Sequence, residues 1–169
     1  MNNNLVVSGL GVSERILSVL KYGILAPSIH NSQPWEISLI NETVFVKINI
    51  YRILPEADPM NRGAMFSLGC FVENCTVSAP FGNLNIQVNE MGLNVYSVSS
   101  AFVKLDFHEL SSNQPQLYLS LVNGIKNRVN NRNPFSREKK LDNKATELLR
   151  SQQTETGIEV RFFDNDKEI

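Results

Sequence analysis

An α+β fold, with an antiparallel or mixed sheet and a buried central helix, is predicted by three features of the chain. Segments with apolar residues at three-to-four spacing are interspersed with segments that alternate apolar and polar residues. The alternating segments fall in hairpin-like pairs. No strand–helix unit repeats, which argues against a parallel α/β architecture, and no internal repeat or low-complexity linker interrupts the chain.

Taken in order, Ile16, Leu17, Leu20 and Ile24 form one stripe and predict a helix over 13–25, ended by Pro27 because the residue before a proline avoids helical geometry. Strands are predicted at 36–40 and 44–51 around a turn at Asn41-Glu42-Thr43, with Val44, Val46, Ile48 and Ile50 on one face. A turn-rich stretch, 54–62, leads to a second helix from Asn61 or Gly63 to about Ala79, broken by Pro80 and Gly82. That helix is apolar nearly all round (Met65, Phe66, Leu68, Phe71, Val72, Val77), which predicts a buried, central position. Gly69 at its middle costs stability unless another element approaches closely there.

Further strands are predicted at 84–89 and 101–107, and a third helix over 115–127 with Leu117, Leu121, Val122 and Ile125 on one side. A loop over 128–135 precedes a helix capped by Asp142, with Ala145, Leu148 and Leu149 inward. A strand at 157–163 and the start of a helix at 164–166 close the chain.

The length of 169 residues suits one domain with a real core, and 42% hydrophobic and 20% charged residues are ordinary for a globular protein. A net charge of −1 gives no reason to expect nucleic acid as a partner. No apolar run approaches the ~20 residues that span a bilayer, and the first residues lack a basic signal-peptide region, so a cytoplasmic location is expected. Cys70 and Cys75, five apart on a helix, point to different faces and are expected to be buried thiols rather than a disulfide.

The richest stretch for chemistry is Ala26-Pro27-Ser28-Ile29-His30-Asn31-Ser32-Gln33-Pro34-Trp35. Two prolines and the only tryptophan stiffen a turn that carries amide, hydroxyl and imidazole groups between a helix and a strand. His30 and His108 are too far apart to suggest a metal, and His30 reads as a turn residue bonded to nearby backbone. Asp58 or Asn61 is expected to cap the second helix. Arg128 and Arg132, four apart and close to a helix start, could grip a phosphate or form a solvated charge cluster; spacing leaves both open.

The turn resembles the A-P-S-x-x-N-x-Q-P-W signature of the nitroreductase superfamily of flavin enzymes, in the form found in its Acg-like branch. Asp58-Pro59-x-Asn61-Arg62 resembles that branch's D-P-x-x-R segment, and Ser67-x-Gly69 with Asn74 its S-x-G-x-x-x-x-N helix. Arg128-x-Asn130-x-Arg132-x-Pro134-Phe135 resembles an R-x-[ST]-x-R-x-P-F phosphate motif, with Asn130 where Ser or Thr is usual. The order of the four segments also matches.

The resemblance implies an FMN-dependent nitroreductase fold and noncovalently bound FMN that passes hydride from NAD(P)H to a small molecule. Ser28 and Asn31 would contact the isoalloxazine edge or ribityl chain, and Arg128, Asn130 and Arg132 the phosphate. Trp35 would pack, and Gln33 would satisfy loop amides. No catalytic side chain is implied, since flavin chemistry asks the protein for positioning and hydrogen bonds. The chain matches about half of an Acg-like protein. Residues 1–127 then form the N-terminal module, and 128–169 the start of a second half-module cut short. A homodimer or a complementary chain would complete the site. The alternatives are a non-catalytic module that binds FMN or a partner, and a structural remnant without ligand.

Overall fold

The computed structural model describes residues 11–91, 102–110, 115–134 and 141–151. Contacts within the chain divide it into two units, Met1–Val129 and Asn130–Ile169. The first contains α1 (Val12–Gly23), β1 (Trp35–Ile40), β2 (Thr43–Ile48), α2 (Arg62–Ser78), β3 (Leu84–Met91), β4 (Phe102–Glu109) and α3 (Pro115–Asn127). Its four strands form one sheet in the order β1-β2-β4-β3, antiparallel throughout, so the α+β class holds with no parallel pair among the described residues.

The β1–β2 hairpin pairs Trp35 with Ile48 and Ile40 with Thr43. Its turn is two residues, shorter than predicted: Asn41 (φ 47°) and Glu42 (φ 64°) are both left-handed, the geometry whose twist matches paired strands. β2 ends at Ile48 rather than 51. Asn49 Oδ1 accepts from the Tyr51 amide at 3.0 Å and curls the chain into a helical turn, leaving Tyr51 outside the sheet.

Val44, Val46 and Ile48 of β2, Val103 and Leu105 of β4, and Leu84 and Ile86 of β3 face one core with α1 and α2. His108 lies within β4, opposite Asn85. In α1 the buried positions are Ile16, Val19, Leu20 and Gly23, whereas Leu17 and Ile24 are exposed. The face is rotated from the predicted stripe because α1 closes on α2 at Gly23, directly over Phe71 and Cys75. In α3, Val122 is buried and Ile125 half-buried, as expected, whereas Leu121 is exposed.

α2 buries Ala64, Ser67, Leu68, Phe71, Cys75 and Ser78 along one side only. Phe66 is 74% exposed, so the helix is central but not enclosed; the described residues supply neighbours on one face. Its start is fixed by the nearly buried Asp58, whose Oδ2 accepts from the Ala64 amide at 2.9 Å, in agreement with the expected capping role. Replacing it, Asp58→Ala, is expected to cost about 1–2 kcal/mol through the stranded amide. Urea unfolding should show this, with Asp58→Asn nearer wild type because its amide oxygen can still accept.

Both cysteines are free. Cys75 is wholly buried and its thiol is pushed up to about 12 by desolvation. Cys70, expected to be buried too, is only half-covered; burial raises its pKa and the field of Arg128 opposes that rise.

Arg15 ties α1 to the rest of the unit by pairing with Glu109 and donating to the Gly82 carbonyl at 3.2 Å. On the outer sheet face Asp106 pairs with Lys104 at 2.8 Å and accepts from Thr43 Oγ1 at 3.0 Å. The hydrogen bond from Lys104 holds Asp106 below its ordinary 3.8, and that from Arg15 holds Glu109 below its ordinary 4.5. Carboxylates lowered on folding stabilise above their unfolded pKa and lose that stabilisation as pH falls through the folded one. The melting temperature should therefore decline as pH drops below 4.5 and then 3.8. In Asp106→Asn with Glu109→Gln the profile should be flatter across that range.

The second unit is described at 130–134 and 141–151. It contains α4 (Asn143–Arg150), capped as expected by Asp142 Oδ1 accepting from the Ala145 amide at 2.7 Å. Leu148 and Leu149 are exposed rather than inward, since the described residues of this unit include no second element to cover them. Phe135, the strand predicted at 157–163 and the helix start at 164–166 lie outside the described residues. No described helix is long and apolar enough to cross a membrane.

Candidate functional site

The turn between α1 and β1 is built from the end of α1 outward. The Leu25 and Ala26 amides donate to the Tyr22 and Gly23 carbonyls at 3.1 and 3.0 Å, and Pro27 stops the helix. The chain then doubles back: the Asn31 and Ser32 amides donate to the Ser28 and Ile29 carbonyls at 3.0 and 2.9 Å. His30, Asn31 and Gln33 all have positive φ, of 46°, 56° and 48°. Asparagine tolerates that region, but histidine and glutamine occupy it at a cost that the surroundings must meet.

The surroundings hold the turn at several points. Ser28 Oγ accepts from the Gln33 amide at 3.0 Å across its base, the job expected of the Gln33 side chain. The Ile29 amide donates to Ser67 Oγ of α2 at 3.3 Å, and that hydroxyl donates to the Gly63 carbonyl at 2.6 Å. Pro34 is buried, and its carbonyl accepts from the Asn49 amide at 2.9 Å. Trp35 packs on Phe71, ring centroids 5.3 Å apart and inclined by 42°, as its packing role required. What the turn leaves in solvent at its tip is His30 and Asn31.

Arg128, just past α3, comes to the foot of this turn, donating to the Leu25 carbonyl at 3.4 Å. The same corner is drawn together by Asn74 Nδ2, which donates to the Tyr22 carbonyl at 3.1 Å, and by Lys126 Nζ, 5.3 Å from the Tyr22 ring centre. Ser28, Asn31 and Arg128 thus belong to one compact unit. Asn130 and Arg132 belong to the second unit, where both are exposed.

Beside the turn lies an open depression of about 400 Å³ lined by Pro27, Phe66, Gly69, Cys70, Glu73 and Asn74. Phe66, Cys70 and Glu73 were not singled out as site residues in the sequence. Their three-to-four spacing is a readable helix face, but the apolar members of that face look like core until its partners are known.

No protein-family model matches the chain, and no curated protein matches it. Among solved structures, one from Clostridium acetobutylicum, provisionally named an NADH oxidase, is similar at 14% identity over 60% of this chain and 80% of its own, with a TM-score of 0.45. A likeness that partial assigns neither family nor activity, so the functional reading rests on the residues of this chain.

Proposed function

We propose that this chain is an FMN-binding domain of an NAD(P)H-dependent oxidoreductase of nitroreductase type acting on a small molecule. The observation that carries the reading is the turn at 26–35, which bears the flavin signature. It is clamped from several sides, presents the Asn31 amide at its tip, and has Arg128 at its foot.

The residues fit one side of a flavin. Asn31 offers a donor and an acceptor to a ring edge or ribityl hydroxyl. Ser28, whose oxygen accepts from Gln33, can still donate its proton. The Arg128 guanidinium suits a phosphate. Bound FMN supplies the hydride chemistry, and the chain holds and orients it. The two free thiols suit a reducing compartment such as the cytoplasm. A second copy, or a complementary chain, covers what this one leaves open.

A second reading, a module that binds FMN or a partner without turnover, is favoured by the openness of the depression among the described residues. The absorbance of the purified protein tests both. A flavin band that NADH bleaches anaerobically marks an oxidoreductase, and a band that persists marks a binder. Protein that stays colourless and takes up no added FMN would sink the two together. Arg128→Ala should weaken FMN binding by about 10- to 100-fold, the worth of one charge-assisted hydrogen bond; unchanged affinity in a titration removes the phosphate role.

A further inference from the structure

Ile29 sits inside the turn, at a place where the flavin signature accepts any residue. It is nevertheless attached at two points, both on the first two turns of α2. Its amide donates to Ser67 Oγ at 3.3 Å, and its side chain lies against Gly63, where a Cβ would stand 2.9 Å from Ile29 Cδ1. The same Cβ would stand 3.1 Å from Oδ2 of Asp58, the oxygen that caps α2 at the Ala64 amide. Ile29 and the helix cap thus close on Gly63 from two sides, and the missing side chain lets them.

Ser67 is 1% exposed and oriented for its part. A hydroxyl inside a helix commonly bonds to the carbonyl one turn back, as Thr76 does to Val72. Ser67 donates to the Gly63 carbonyl at 2.6 Å, which commits its one proton and leaves its lone pairs to accept. What meets them is the amide of Ile29, directly before the left-handed pair His30 and Asn31. Residues in that region persist where their surroundings over-determine them. Ser28 Oγ secures the far end of the pair through the Gln33 amide, and Ser67 Oγ secures the near end.

We propose that Ile29, Gly63 and Ser67 are positioning residues for the candidate site: α2 grips the turn at Ile29 and so fixes the left-handed geometry in which Asn31 is presented. They act through Asn31. The ligand that Asn31 meets rests on the FMN reading above; the grip itself does not.

Two measurements on the whole chain separate the grip from the ligand. Without ligand, Ser67→Ala should speed hydrogen exchange of the Asn31 and Ser32 amides, which close the turn, by about tenfold. Exchange in the β1–β2 ladder should stay as in wild type. With FMN as the probe, the same variant should bind about tenfold more weakly (1.4 kcal/mol). Gly63→Ala should act in the same direction but less strongly, since its methyl displaces Ile29 with Asp58 blocking the other side. Adding Ile29→Val, which removes Cδ1, should bring both readouts back toward wild type. A role for Gly63 at the Asp58 cap alone would leave the double variant as impaired as the single one, and that result overturns the proposal. So does unaltered turn exchange in Ser67→Ala and Gly63→Ala; either variant carries the test if the other fails to fold. Faster exchange with unchanged FMN affinity overturns the positioning role and leaves the flavin reading standing. Wild type that takes up no FMN defeats the flavin reading, and the exchange rates then decide the grip by themselves.

Discussion

Phe71→Ala is expected to destabilise the first unit by about 3–5 kcal/mol, the range for deleting a fully buried aromatic side chain. The ring is wholly buried on the inner face of α2, packs against Trp35, and forms the surface on which Gly23 of α1 rests. Its loss opens a cavity walled by two helices and the start of β1, elements held apart by their own backbones and unable to collapse fully. Against a typical stability of about 5–15 kcal/mol this is a large fraction. Urea unfolding should show a much lower midpoint with little change in slope. A loss under about 1 kcal/mol would mean that the α1–α2 contact is not where the core is anchored.

Gly23→Ala tests the same contact from the other side and should cost about 2–3 kcal/mol by overpacking. A Cβ there would stand 2.6 Å from Cys75 Sγ and 2.8 Å from two carbons of the Phe71 ring, all fully buried, so no flexible end can swing away. Since alanine is otherwise the better helix former, the sign of the change depends wholly on this collision. The two sites are coupled: in a Gly23→Ala, Phe71→Leu double variant the costs should sum to more than the measured loss, because the smaller side chain gives the new methyl room. Strict additivity would contradict the contact.

The elements of the first unit were legible because their apolar periods are clear, and α3 begins and ends where Pro115 and the following loop predict. Which face turned inward was less legible. Ile16 and Leu20 belong to two overlapping stripes, one shared with Leu17 and Ile24 and one with Val19 and Gly23. Only the approach to Phe71 selects between them. In α2 an all-round apolar pattern signals burial but not the side on which neighbours exist. Asp58 was readable as a cap because that role is local, whereas Ser67 as a support for Ile29 depends on residues 38 apart meeting. At the candidate site, Asn31 and Arg128 stand out by motif. The left-handed residues of the turn do not, because histidine and glutamine give no local cue for positive φ.

The chain's single tryptophan carries a practical consequence. Trp35 opens β1, follows the buried Pro34 at the end of the turn, and leans on Phe71 at the centre of the core. Its emission is therefore a native spectroscopic reporter wired to the turn and the core at once. A flavin seated by the turn would quench it through energy transfer, whereas unfolding would shift its wavelength toward that of an indole in water. Ligand capture and loss of structure can thus be told apart in one cuvette, without a label and without altering a residue.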